Sequence, residues 1–127
     1  MQDDPRYEDV LLDVYDFLNA RIAGAMAAGI SRDRIMVDPG IGFGKTATHN
    51  LLLVRRLSLF HDLGVPVLLG VSRKRFIGAV LHEPRPRARL WGTASVCALA
   101  VAAGARVLRV HDVGPIAQVA RMAAAIG

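Results

Sequence analysis

The stretch Arg34-Ile-Met-Val-Asp38-Pro-Gly-Ile-Gly-Phe-Gly-Lys45 decides how this chain is read. Its first half is a short apolar run with no period-2 alternation, as a buried strand with both faces covered requires, and it stops abruptly at Pro39-Gly40. Its second half places three glycines within five residues, a composition for a tight turn whose backbone approaches a ligand closely. A strand that feeds such a loop suggests a parallel βα unit, and the rest of the chain repeats the pattern.

Upstream, the apolar positions Val10, Leu11, Val14, Phe17, Leu18, Ile22 and Met26 recur every three or four residues, and Gly29 stands where a helix C-cap belongs. Downstream, Thr48 or a neighbour caps a predicted helix from Asn50 to about Leu63, closed by Gly64. Val65-Pro-Val-Leu-Leu-Gly-Val71 is the next expected strand. After a short stretch Arg73 to Leu81 comes His82-Glu-Pro-Arg-Pro-Arg-Ala-Arg89, whose prolines and arginines are expected to exclude regular structure. Leu90 to Ala103 reads as an Ala-rich helix, Ala105 to Val110 as a third strand and Ile116 to Ile126 as a last helix. Three near-continuously apolar strands alternating with helices indicate α/β architecture with a parallel sheet.

The bulk numbers agree. The chain has 127 residues, of which 53% are hydrophobic, enough for one domain with a core. Arg21, Arg32, Arg55, Arg73 and Arg109 interrupt every apolar run before it reaches bilayer length, and Met1 to Leu12 is too acidic for a secretory signal, so a cytoplasmic protein is expected. Cys97 is the single cysteine, and its small neighbours make it a buried helical thiol rather than a nucleophile. The net charge of +5 is concentrated around residues 82–89. That loop has no interleaved aromatics to stack on bases, which argues against nucleic acid and for a solvated loop.

Parallel units put all strand C-termini on one edge, where such folds bind ligands. The unusual residues collect there: Asp38 after the first strand, Ser72-Arg73-Lys74 after the second, and Arg109-Val110-His111-Asp112 after the third. Asp38, Lys74 and Arg109 are therefore expected to face one cleft. Gly40 to Thr46 is not a phosphate loop, because counting back from Gly44 the first glycine of Gly-x4-Gly-Lys-Thr falls on Pro39. It is not a dinucleotide fingerprint either, since the third glycine falls on Lys45.

Asp38-Pro-Gly-Ile-Gly-Phe-Gly-Lys45, Gly70-Val-Ser-Arg-Lys74 and Arg109-Val-His-Asp-Val113 resemble, in order and spacing, the three C-terminal signature segments of dihydropteroate synthase. The resemblance runs over essentially the whole chain. It implies a (β/α)8 TIM barrel, of which residues 1–127 are the C-terminal part: three parallel strands with covering helices, and Met1 an internal methionine of a longer parent. It also implies condensation of dihydropterin-methyl diphosphate with p-aminobenzoate, with Mg²⁺ as cofactor on a ligand segment this chain lacks, and a homodimer in the complete enzyme.

By the same resemblance Asp38 accepts hydrogen bonds from the amino-pyrimidine edge of the pterin, two acceptors meeting two N–H donors. Lys74 donates to the ring acceptors and Gly70 leaves room for the flat ring. Arg109 covers the pterin face and reaches the diphosphate, with His111 and the Val110 backbone completing the anion site. Phe43 walls the arene, and Ser72 with Arg73 at a helix start receives its carboxylate. A core Phe43, a capping Ser72 and a surface ion pair for Arg73 are the structural alternatives. No side chain is needed as a covalent nucleophile. The rival readings are a pterin-binding methyltransferase domain, a non-catalytic interaction module of the same fold and, most weakly, a nucleotide-binding α/β domain. Alone, the chain is expected to be inactive and marginally stable.

Overall fold

A computed structural model describes residues 7–127. Helix α1, Val10–Ala27, begins where the Asp9 carboxylate accepts the Leu11 and Leu12 amides at 3.0 and 3.2 Å, a side-chain cap for otherwise orphaned donors. Val10, Val14, Leu18 and Ile22 form its buried stripe, and Gly29, at φ +100°, takes up the left-handed position just past its end. The reading of Met1 to Leu12 falls partly on residues outside those described.

The first expected strand is shorter than its sequence suggests. Arg34 ends a 3₁₀ turn, Arg32–Arg34, and residues 35–38 pair only at Val37, bridged in parallel to Val67. Two hydrogen bonds fix the bridge, Val37 N–H to Pro66 O at 2.9 Å and Leu68 N–H to Val37 O at 2.8 Å. The regular strands are likewise two residues each, β1 (Leu68–Leu69) and β2 (Val107–Leu108), in parallel register Leu68 to Val107 and Leu69 to Leu108. Arg106 N–H to Val67 O and Arg109 N–H to Leu69 O continue that ladder at 2.9 Å beyond its formal ends. Pro66 has no N–H to contribute, which limits pairing at the start of β1. The spatial order is residue 37, β1, β2.

The helix expected from Asn50 to Leu63 divides. Helix α2, Ala47–Arg55, starts one turn early because Thr46 and His49 form a reciprocal capping box, each side chain bonding the other's amide at 3.1 Å. Past Arg56 the chain tightens into a 3₁₀ helix, Leu57–Leu63, burying Leu57, Phe60 and Leu63. That spacing of three matches the three-residue 3₁₀ turn, where i and i+3 lie in line.

Helix α3, Arg75–Leu81, occupies the short stretch after β1. The arginine-proline loop is not wholly irregular: Pro86–Arg89 is a 3₁₀ turn led by proline, tolerated there because the first amides have no partner to lose. Helices α4, Leu90–Ala102, and α5, Val113–Ile126, pack together. Helix α5 begins ahead of the expected Ile116, since Pro115 sits in the first turn where its missing N–H costs nothing. Cys97 is buried on α4, and desolvation raises its thiol to about 11. No helix among the described residues is long and apolar enough to cross a membrane.

One expectation fails in an informative way. The outward side of the sheet, carrying Val37, Val67, Leu69 and Val71, is buried under the helices. On the opposite side Met36 is 55% and Val107 37% exposed. The apolar strands are thus covered on one face, and not on both.

Candidate functional site

Alternation along the strands carries the uncovered face from Met36 to Asp38, from Leu68 to Gly70 and from Val107 to Arg109. The sheet's C-terminal edge therefore presents a carboxylate, a glycine and a guanidinium in neighbouring positions. Gly70 serves Arg109 first: a Cβ there would lie 2.7 Å from Arg109 Nη2 and 3.2 Å from Cζ. The guanidinium lies against the bare Gly70 Cα and has no hydrogen-bond partner among the described residues.

The glycine loop is cross-linked rather than slack. Asp38 Oδ1 accepts the Gly40 N–H at 2.8 Å, and Gly40, Gly42 and Gly44 all have positive φ. Lys45, 5% exposed, donates to the carbonyls of Gly40 and Phe43 at 2.8 and 2.9 Å. Buried Asn50 accepts the Gly42 N–H at 2.8 Å. Lys74 donates to the Ile41 carbonyl from across the cleft and lies 4.6 Å from the Phe43 ring centroid. Phe43 itself is 61% exposed at the loop tip, which excludes the core alternative. Burial lowers the Lys74 amine below its ordinary range, while Asp38 opposes and Arg109 and Lys45 reinforce that shift. Asp38, Arg109 and Lys45 are thus the charged neighbours that act on the Lys74 amine.

The turn between β1 and α3 is held with equal density. Arg73 has φ +60°, an uncommon conformation for a residue with a side chain. Thr93 Oγ1 accepts its N–H at 3.1 Å, Arg89 Nη1 donates to its carbonyl at 2.8 Å, and its guanidinium grips Asp112 at 2.9 and 3.3 Å. Arg89 also donates to the carbonyls of Glu83 and Pro84. Arg73 is accordingly an ion-paired residue here. Lys74 occupies the N-cap position of α3 without a side-chain capping bond, so Ser72 and Arg73 lie just ahead of its first turn. Ser72 Oγ lies 2.7 Å from His111 Nδ1 and accepts the His111 N–H at 3.1 Å.

Two adjoining cavities result. One of 660 Å³ is lined by Phe43, Asn50, Ser72, Arg73, Lys74 and His111 among others. A smaller one of 290 Å³ is lined by Gly70, Ser72, Lys74, Arg109, Val110 and His111. Every expected site residue but Asp38 lines one or both. Lys45, Asn50, Arg89 and Thr93 were not singled out from the sequence, although a lysine directly after the glycine run was a visible signal. Among the described residues no three His, Cys, Asp or Glu side chains cluster as a metal site would require.

A family model described as "Pterin binding enzyme" matches residues 1–111. The chain belongs to the pterin binding enzyme family. Within it, the chain is similar to the dihydropteroate synthase of Synechocystis, 43% identical over 99% of this chain and 44% of that protein. The Escherichia coli dihydropteroate synthase is 42% identical over 89% of this chain and 40% of its own length. The chain thus spans less than half the length of these curated relatives. Among solved structures, dihydropteroate synthase from Stenotrophomonas maltophilia with imidazole in its active site superposes with TM-score 0.96 at 40% identity, covering 99% of this chain and 48% of that one. The Xanthomonas albilineans enzyme in complex with 7,8-dihydropteroate gives 0.93 at 42% identity, covering 96% and 47%. Pterin-binding family members of known structure therefore share the α/β arc found here.

Proposed function

We propose that this chain provides the C-terminal portion of a dihydropteroate synthase site, in which dihydropterin-methyl diphosphate condenses with p-aminobenzoate. The observation that carries the reading is the convergence of Asp38, Lys74, Arg109 and His111 on one edge of the sheet. Asp38 accepts from the amino-pyrimidine of the pterin. Lys74, with one of its three protons on the Ile41 carbonyl, keeps two for ring acceptors. Arg109 and His111, with the Val110 backbone, receive the diphosphate, and Phe43 with the Ser72-Arg73 turn forms the arene side.

The reaction is displacement at the pterin methylene carbon. The amine nitrogen bonds to that carbon, the carbon–oxygen bond to diphosphate breaks with its electron pair on the leaving oxygen, and the nitrogen proton is released. Fixed cations beside the leaving oxygens stabilise the transition state more than the ground state. Mg²⁺ would add positive charge at the diphosphate from residues other than those described. Met36 and Val107, uncovered on the inner face, support an incomplete (β/α)8 barrel whose remaining strands lie against them, since three strands cannot close a barrel. The exposed Trp91, Leu99, Met122 and Ile126 of α4 and α5 suit pairing of the complete enzyme as a homodimer in the cytoplasm.

Titrating inorganic pyrophosphate into the chain by calorimetry tests the anion site. Saturable binding is expected, and Arg109→Met, which removes a charge-assisted partner, weakens it on the order of tenfold. Equal binding by wild type and R109M would refute the assignment.

A further inference from the structure

Ser72 lines both cavities, is 8% exposed and, among the described residues, makes its side-chain hydrogen bonds only with His111. A hydroxyl has one proton and two acceptor sites. One acceptor site of Ser72 Oγ takes the His111 backbone N–H. The 2.7 Å contact with Nδ1 then runs in one of two directions. If Nδ1 carries a proton, in either the neutral or the charged imidazole, Oγ accepts twice and the serine proton is left without an acceptor among the described residues. If Nδ1 is bare, the serine proton has its partner and both Ser72 Oγ and His111 Nδ1 are satisfied. Leaving a donor unpaired at a largely buried position costs up to about 1–3 kcal/mol, which favours the second arrangement. With Nδ1 occupied as an acceptor, the remaining imidazole proton is on Nε2, which has no hydrogen-bond partner among the described residues.

We propose that Ser72 is a positioning residue that acts through His111, its hydroxyl donating to Nδ1 and holding the imidazole as the tautomer with a free Nε2–H. This deepens the functional reading above and rests on it for the anion that Nε2–H would meet. It also moves Ser72 from the arene carboxylate to the diphosphate side, because its single proton is already committed. The opposite tautomer would present a lone pair at Nε2, which repels an anion.

The test is ¹⁵N NMR of the chain labelled at its four histidines, recorded at about pH 8.5, where an ordinary imidazole is neutral, with the His111 signals assigned by their loss in His111→Gln. Wild type is expected to show a bare Nδ1 and a protonated Nε2. Ser72→Ala should shift His111 toward a tautomer mixture, and Ser72→Thr, which keeps the hydroxyl, should restore the wild-type pattern. A protonated Nδ1 in the wild type overturns the proposal without any variant, as does an unchanged tautomer in S72A. Inorganic pyrophosphate added to the same samples separates the two levels. Movement of the His111 Nε2 signal in wild type, reduced in S72A, supports both, whereas the expected tautomer without any response to pyrophosphate upholds the Ser72 role and removes the anion-site reading.

Discussion

The two faces of the small parallel sheet are built from the same apolar segments and have opposite fates. Val37, Val67, Leu69 and Val71 are sealed under the helices, whereas Met36, next to Val37, and Val107, opposite Leu68, meet solvent. Strand periodicity makes this a division by parity: odd positions of the first two segments point to the helices, even positions to the inner face. Helix packing thus supplies the stability of this arc, while the inner face keeps apolar side chains in solvent and ends in the polar cleft.

Truncating one residue on each face should give the largest contrast. Leu69→Ala on the sealed face should destabilise the chain by about 2–5 kcal/mol, the range for a fully buried leucine. Val107→Ala on the open face should stay within about 0.5 kcal/mol, as surface changes do. Urea unfolding of both variants checks this, and comparable losses would erase the distinction between the faces. Arg89→Ala should rank next, with a loss of roughly 2 kcal/mol, because it strips donors from the carbonyls of Arg73, Glu83 and Pro84 in a part-buried loop. It should also release Arg73 from its φ of +60°, read as altered backbone shifts at residues 72–74.

The alternation of helices and parallel segments was legible in the sequence, because Val65–Val71 is apolar without period and Ala105–Val110 is apolar apart from Arg106 and Arg109. It could not show that one face stays open. A continuous apolar run looks the same whether helices cover both sides or further strands cover one. The strand-end residues Asp38, Lys74, Arg109 and His111 were visible for a related reason: polar side chains directly after apolar runs stand out. Arg89 was hidden inside an arginine-rich loop that reads as solvated surface. Ser72 was recognised, but its hydroxyl's commitment to a histidine 39 residues away depends on β1 and β2 being neighbours. The division of the Asn50–Leu63 helix was written in the spacing of Leu57, Phe60 and Leu63, which fits a three-residue turn better than a 3.6-residue one.

A smaller effect is expected on the open face. Met36→Lys, placing a charge on the uncovered face, should lower self-association of the chain in sedimentation velocity, while leaving its unfolding midpoint nearly unchanged. Persistent association would point to the outer faces of α4 and α5 instead. The smallest effect concerns pH. Burial lowers the Lys45 and Lys74 amines below the ordinary value of 10.5, with Asp38 acting against it. Between the lowered values and 10.5 the unfolded chain binds more protons than the folded one, so stability rises with pH across that alkaline window. Lys74→Met should flatten the rise, and a wild-type curve that falls there would contradict the burial of both amines.

The most direct measurement for the account as a whole is dihydropteroate formation by residues 1–127, given Mg²⁺, dihydropterin-methyl diphosphate and p-aminobenzoate, with and without a complementing N-terminal half of the barrel. No product is expected from the chain alone. Turnover on the order of 1 per second, a typical enzymatic rate, is expected once the halves associate. Turnover at that rate by the chain alone, or an associated pair of halves that forms no product, would contradict the proposal that this cleft is one part of a larger site.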